Sequence, residues 1–193
     1  GAARPGGAGR GLTAPRPRPD AARCSCQNVV MGEVREILTW ERFGEAAREL
    51  AQQIVDSGYE PDVMLSITRG GLLPAGAIAY ALDQKNIHII NVEFYTGVDE
   101  RLPAPVFLPP LPATNYLDGR SVLIIDDVAD TGETLRLVRD FCDEHTSESR
   151  TAVLYEKPRS VIACDYVWKR TDEWIAFPWS SLPPLKNTTR LDN

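Results

Sequence analysis

Cysteine and histidine are scarce: the 193-residue chain holds four of the first and two of the second. Cys24 and Cys26 stand close together near the N-terminus, while Cys142 and Cys164 stand alone in patterned segments. That is not a disulfide framework, and a reducing, cytoplasmic setting is expected. Cys24-Ser25-Cys26 has no neighbouring histidine to complete a zinc site, so the pair reads as incidental thiols. No apolar run approaches the roughly 20 residues needed to span a bilayer. The N-terminus lacks the apolar centre of a secretory signal, so none is expected. Positive charge is not in excess: a net charge of −6 argues against general nucleic-acid or membrane-surface binding. The Gly-Lys-Ser/Thr run of a triphosphate-binding loop is missing, and so is a dinucleotide fingerprint. Internal repeats are missing too.

What remains is an ordinary globular composition, 43% hydrophobic and 25% charged, long enough for one domain with a proper core. Residues 1–30 depart from it. They carry Arg4, Arg10, Arg16, Arg18 and Arg23 against the single acid Asp20, among many Gly, Ala and Pro. This +4 segment leaves −10 for the rest of the chain. Such a composition cannot bury a core, and the segment is expected to be a disordered extension before Met31. It shows no amphipathic period of the kind a transit peptide has.

From Met31 onward helical and extended patterns alternate. Residues 40–57 read as a helix capped by Thr39, with Phe43, Ala47, Leu50 and Ile54 on one face and Gly58 at its end. Asp62–Ile67 reads as a buried strand, 71–82 as a helix with Pro74 in its first turn, and 87–95 as a further strand. Residues 96–118 hold Pro103, Pro105, Pro109, Pro110 and Pro112 with no helical period, and read as a long loop of functional type. Ser121–Ile125 is a strongly apolar strand, Glu133–Glu144 a helix facing inward through Leu135, Val138 and Cys142, and Thr151–Tyr155 another strand. Alternation of this kind predicts an α/β fold with a parallel sheet covered on both faces, binding ligands at the carboxyl ends of its strands.

The informative segment is Val122-Leu123-Ile124-Ile125-Asp126-Asp127-Val128-Ala129-Asp130-Thr131-Gly132-Glu133-Thr134-Leu135. A buried strand delivers two adjacent acids to its carboxyl edge. A tight turn follows, and a helix begins. The turn aims several backbone N–H groups at one point, where the helix dipole also favours negative charge. Thr131 and Thr134 add hydroxyl donors, and Gly132 allows close approach of the backbone. This is a cradle for a phosphate monoester beside two carboxylates. Carboxylates would repel a phosphate unless they serve another purpose, such as holding sugar hydroxyls or a magnesium ion. The plain alternative is a strand-turn-helix capped by Asp130 and Thr131.

The segment resembles the phosphoribosyl pyrophosphate signature of the type I phosphoribosyltransferases, and within them it is most similar to the 6-oxopurine enzymes acting on xanthine, guanine or hypoxanthine. The resemblance covers about residues 31–182. It implies an open, twisted, mainly parallel sheet with flanking helices and a small C-terminal purine-binding hood, mainly 156–182. It also implies that Asp126 and Asp127 hold the ribose hydroxyls, with magnesium near them directly or through water. By the same resemblance the turn of Ala129, Asp130, Thr131, Gly132, Glu133 and Thr134 holds the sugar's phosphate, and Asp130 is the general base.

Two further motifs fit. Ser66-Ile67-Thr68-Arg69-Gly70-Gly71 ends the first core strand; alone it is a turn with a solvated arginine. Adjacent glycines free backbone N–H groups, and Arg69 can pair with a diphosphate. Thr68, Arg69 and Gly70 are similar to the family's pyrophosphate loop, which often holds a strained peptide bond before the arginine. Glu156-Lys157-Pro158 and Asp172-Glu173-Trp174-Ile175-Ala176-Phe177-Pro178-Trp179 resemble the family's purine-binding part. A lysine can donate to an exocyclic carbonyl and an aromatic face stacks on a purine. The resemblance gives Lys157 the six-oxo group, Trp174 the ring, and Ile175 backbone contacts. Where the family often carries an acid after the final Trp, Ser180 stands here. Trp168 reads as packing. The segment 96–118 matches the family's mobile catalytic loop in position, which would close over the sugar and exclude water.

The expected activity is transfer of a phosphoribosyl group from phosphoribosyl pyrophosphate to a 6-oxopurine in purine salvage, by a dimer or tetramer using Mg2+. A regulator on the same fold that binds nucleic acid, and an enzyme of the class with an adenine or pyrimidine acceptor, are the alternatives. The acidic globular part, without a basic stripe, opposes the regulator.

Overall fold

The computed structural model describes Gly1 and residues 35–93, 96–97, 100–101, 105–108, 114–183 and 185. Every element falls in the compact unit Glu33–Asn193. The extension expected over 1–30 lies outside the described residues apart from Gly1.

The chain order is β1 (Arg35–Ile37), α1 (Trp40–Asp56), β2 (Val63–Thr68), α2 (Leu72–Leu82), β3 (Ile87–Glu93), β4 (Thr96–Gly97), β5 (Glu100–Arg101), β6 (Val106–Leu108), α3 (Thr114–Leu117), β7 (Ser121–Ala129), α4 (Glu133–Asp143), β8 (Glu148–Glu156), β9 (Tyr166–Arg170) and β10 (Trp174–Ala176). The central sheet runs β6-β3-β2-β7-β8-β9. All its pairings are parallel except that of β6 with β3. This is the expected α/β sheet, open and mainly parallel.

Helices cover both faces, and the strands are therefore apolar on both. Along β7, Leu123 and Ile125 pack into the cluster with α1 and α2. Val122 and Ile124 pack into the opposite cluster with Leu135, Val138 and Cys142 of α4. This is the period of two expected of a strand buried on both sides. Helix α1 buries Phe43, Ala46, Ala47, Leu50, Ala51 and Ile54, and the Thr39 side chain caps it by accepting from the Arg42 amide at 3.2 Å.

Three segments depart from the sequence reading. The stretch 96–118 is not irregular throughout: it contains the β4–β5 hairpin, β6 and the single turn α3. Its prolines hid β6, but Pro105 precedes that strand, Pro109 follows it, and an edge strand donates on one side only. Residues 98–99, 102–104 and 109–113 lie outside the description, so lid behaviour does too. Tyr166–Arg170, inside the stretch expected for the hood, forms the edge strand β9 of the main sheet. Trp168 on β9 packs as expected, edge-on to Tyr155 with its indole donating to Glu49 at 2.7 Å. Finally, β1 pairs in parallel with β10 as a small separate sheet, a partnership between the two ends of the domain that no local pattern announces.

Candidate active site

The site begins with register. Ser66 of β2 lies opposite Ile125 of β7, so the chain leaving β2 and the acids leaving the core of β7 emerge side by side at the carboxyl edge of the sheet. The turn from β2 into α2 is packed so tightly that side chains are excluded. A Cβ on Gly70 would fall within the Asp127 carboxyl, and one on Gly71 would strike the carbonyls of Ile125 and Ile67. The Thr68–Arg69 peptide is cis. Arg69 is exposed.

Strand β7 continues past the apolar run to Ala129, carrying Asp126 and Asp127 within it. The Asp127 amide donates to Asp126 Oδ1 at 2.9 Å. Burial first, and then the charge of Asp127, pushes the Asp126 carboxyl well above the usual carboxylate range. Burial likewise raises Asp127, opposed by the Val128 amide. Two crowded carboxylates of this kind are suited to a cation or to hydroxyl donors.

The turn after β7 differs from the plain alternative in one respect. Helix α4 is not capped by Asp130 or Thr131: its cap is Gly132, at φ 78°, without a side-chain cap bond. Thr131 Oγ1 lies 3.5 Å from the Glu133 amide, a long contact. The opening amides of α4 are thus left largely to an incoming acceptor. Gly132 has no room for a side chain, because a Cβ would meet Ser160 and Ile162.

Two cavities open at this edge. One, of about 720 Å³, is walled by Thr68, Arg69, Gly70, Asp126, Asp127 and Thr134, with Val92, Trp179 and others. The second, of about 520 Å³, is walled by Asp130, Lys157, Trp174, Ile175, Arg35 and Phe177 among others. Val128 and Ser180 border both, so the cavities adjoin. Each lies in the range of small-molecule sites. Ala129, Thr131, Gly132 and Glu133 border neither: Ala129 and Gly132 are buried in the turn, and Thr131 and Glu133 face solvent.

In the second cavity Lys157 is nearly buried, its ammonium donating to the carbonyls of Asp172 at 3.3 Å and Glu173 at 2.6 Å. Trp174 is 61% exposed and walls this cavity. The first turn of α1 meets the end of the hood in an aromatic cluster. Phe177 stacks on Trp179 with ring centres 4.9 Å apart, and Trp40 and Phe43 pack against Trp179. Among the described residues no group of three or more His, Cys, Asp or Glu could hold a metal by itself.

Sequence reasoning missed several residues in or beside these walls. Arg35 reaches the site only through the β1–β10 pairing. Val128 carries no chemical signal. Arg159 was missed as well: it forms a two-handed ion pair with Asp130, Nη2 to both carboxylate oxygens at 2.5 Å and Nε to Oδ1 at 3.1 Å. The one available signal was a cation two residues after Lys157 in a Pro-containing turn.

The site is thus two adjoining cavities at the carboxyl edge of a mainly parallel α/β sheet, one walled by Arg69 and two acids and the other by Lys157 and Trp174. A phosphoribosyl transferase domain model matches residues 33–182. The chain is 32% identical over 149 residues to the xanthine-guanine phosphoribosyltransferase of Cereibacter sphaeroides, covering 74% of this chain and 84% of that one. It is 34% identical over 146 residues to the enzyme of that name from Nitratidesulfovibrio vulgaris, covering 75% and 83%. The crystal structure of a purine phosphoribosyltransferase from Pyrococcus horikoshii matches it with a TM-score of 0.67 and 33% identity, over 79% of this chain and 98% of that one. The chain belongs to the phosphoribosyltransferase family.

Proposed function

We propose that the chain transfers the phosphoribosyl group of phosphoribosyl pyrophosphate to a 6-oxopurine, releasing pyrophosphate and a purine nucleoside monophosphate. The observation that carries this reading is the junction of the two cavities. A polar cavity with Arg69 and two acids meets, across Val128, a cavity with Lys157 and an exposed Trp174 face. Relatives named for xanthine and guanine agree with a 6-oxopurine acceptor.

In this reading the leaving diphosphate lies against Thr68, Arg69 and the Gly70 amide, since the Gly71 amide is already committed to the Ile67 carbonyl at 2.9 Å. The 5′-phosphate takes the uncapped opening of α4, with Thr131 and Thr134 hydroxyls. Asp126 and Asp127 hold the ribose hydroxyls. The purine stacks on Trp174, with its six-oxo group toward Lys157 and its edge toward the Ile175 backbone. The bond between the anomeric carbon and the diphosphate oxygen breaks, a purine ring nitrogen bonds to that carbon, and Asp130 takes the proton from the ring. Magnesium fits the donors present: two adjacent carboxylates, which among the described residues belong to no larger group of ligands, suit a hard cation that keeps its remaining ligands from water and substrate oxygens. When bound, it neutralises charge on the diphosphate. Where the family often has an acid, Ser180 borders both cavities and offers a hydroxyl instead.

Residues 1–30 are read as an extension to the working domain, and the assembly as a homodimer or homotetramer. None of the described helices is long and apolar enough to cross a membrane, and a cytoplasmic site of action is part of the same reading.

The test is pyrophosphate release from phosphoribosyl pyrophosphate and Mg2+ with guanine, xanthine, hypoxanthine, adenine and a pyrimidine in turn. Release with at least one 6-oxopurine is expected. Release with adenine or the pyrimidine alone, or with none, would overturn the acceptor assignment.

A further inference from the structure

Asp130 and Arg159 are 29 positions apart and meet because two turns are stapled together. Lys157–Ser160 is a β-turn closed by the Ser160 amide donating to the Lys157 carbonyl at 3.0 Å, with Pro158 at the position its ring favours. Its entrance is tied to the end of β7 by the Lys157 amide donating to the Ala129 carbonyl at 2.9 Å. Its exit is tied to the phosphate turn by the Val161 amide donating to the Thr131 carbonyl at 2.8 Å. Between these ties Ser160 lies directly over Gly132, where a Cβ could not fit. The backbone carrying Arg159 is therefore held on both sides of Asp130.

The turn sends its two cations in different directions. Lys157 reaches the hood carbonyls and walls the base-side cavity. Arg159 stays outside the described walls of both cavities and spends its guanidinium on Asp130. A carboxylate offers about four acceptor sites. Arg159 takes two on Oδ1 and one on Oδ2. The fork thus fixes the plane of the carboxylate while leaving Oδ2 able to accept once more, and Asp130 itself walls the base-side cavity.

We propose that Arg159 is a positioning residue for phosphoribosyl transfer, holding the Asp130 carboxylate in one orientation so that its remaining acceptor site faces the purine. This rests on the general-base reading of Asp130. As an exposed ion pair, the contact contributes little to folding, since such pairs are worth little in water. Its value lies in orientation, where an error of about 1 Å can cost as much as 100-fold in rate.

The test is a double-mutant cycle on the full chain, with turnover measured where chemistry limits the rate. Arg159→Ala is expected to lower kcat about 10-fold or more with the KM for phosphoribosyl pyrophosphate within about twofold. Its melting temperature is expected to stay within about 2 °C of the wild type. Arg159→Lys, which keeps the charge and loses the fork, should recover part of the rate. In the Asp130→Asn background Arg159→Ala should have no further effect. A wild-type kcat for Arg159→Ala, beside a slow Asp130→Asn, would overturn the positioning role alone. So would an undiminished effect of Arg159→Ala in the Asp130→Asn background. A wild-type rate for Asp130→Asn would instead refute the general-base reading, and this proposal with it.

Discussion

The side of the site proposed for the diphosphate stands on β2 and β7, strands that pair with each other in the middle of the sheet, whereas the side proposed for the base rests largely on β1 and β10, three-residue strands that pair only with each other. The first is backed by fully buried side chains on both faces, among them Met64, Leu65, Ile124 and Ile125. The second is held by the ladder to β1, the Lys157 bonds to two carbonyls, and the cluster of Trp40, Phe43, Phe177 and Trp179. Trp174 on that side is 61% exposed. The diphosphate side is therefore preorganised by the core, and its residues should act on substrate affinity with little tolerance for change in shape. The base side is a graft on the core, and its residues should act on acceptor affinity with modest individual effects. Asp130 stands between, on the turn of the first and in the wall of the second.

Asp130→Asn is the sharpest way to separate binding from chemistry across that border. Asn keeps the shape and turn preference of Asp but does not take a proton. Turnover should fall roughly 10²–10⁴-fold, the usual worth of a positioned base, while phosphoribosyl pyrophosphate binds nearly as before. Calorimetric binding beside steady-state rates would check both halves.

Arg69→Ala probes the diphosphate side alone. Loss of a charge-assisted contact should weaken phosphoribosyl pyrophosphate and free pyrophosphate by about 1.5–3 kcal/mol. Ribose 5-phosphate binding should change little. Equal losses for all three ligands would show that Arg69 does not read the diphosphate.

Glu156→Gln tests the anchorage of the edge strand β9, from which the chain runs on to β10. Glu156, at the end of β8, accepts from Arg170 Nε of β9 and from the Cys164 amide, each at 2.7 Å. Burial alone would raise its carboxyl, but the Cys164 amide and Arg170 outweigh burial and hold it below the usual range. A depressed folded pKa contributes stability above the unfolded value and loses it as pH falls through the folded one. The substitution should therefore cost about 1–2 kcal/mol at neutral pH, and the gap from the wild type should close below about pH 4. Chemical denaturation at a series of pH values measures it; a gap that widens in acid would refute the assignment.

Trp174→Ala should have the smallest effect. Removing one stacking face should cost about 1 kcal/mol, seen as a roughly fivefold higher KM for the purine with the KM for phosphoribosyl pyrophosphate unchanged. A larger effect on the diphosphate substrate than on the base would collapse the division between the two sides.

Legibility in the sequence followed the same division. The run Val122–Leu135 could be read as strand, acids, turn and helix because each step is a local choice: apolar period two, a glycine at positive φ, then an amphipathic helix. The Ser66–Gly71 turn was legible once that segment was known. The base side was legible only as far as Lys157, Trp174 and Ile175, and only by family likeness. β6, between prolines, and β9, read as hood, escaped because short edge strands carry little pattern of their own.

By itself the sequence determined the alternation of strands and helices, the burial of the central strands on both faces, and the turn from β7 into α4. Those features depend on neighbours within a few residues, which periodicity and turn chemistry encode directly. Only the tertiary structure decided that Arg35 joins the base-side wall, that Val128 and Ser180 border two cavities, and that Arg159 holds Asp130. These depend on pairings between distant segments, where the register of β1 on β10 and the stapling of one turn to another set the geometry, and neither leaves a local trace in the chain.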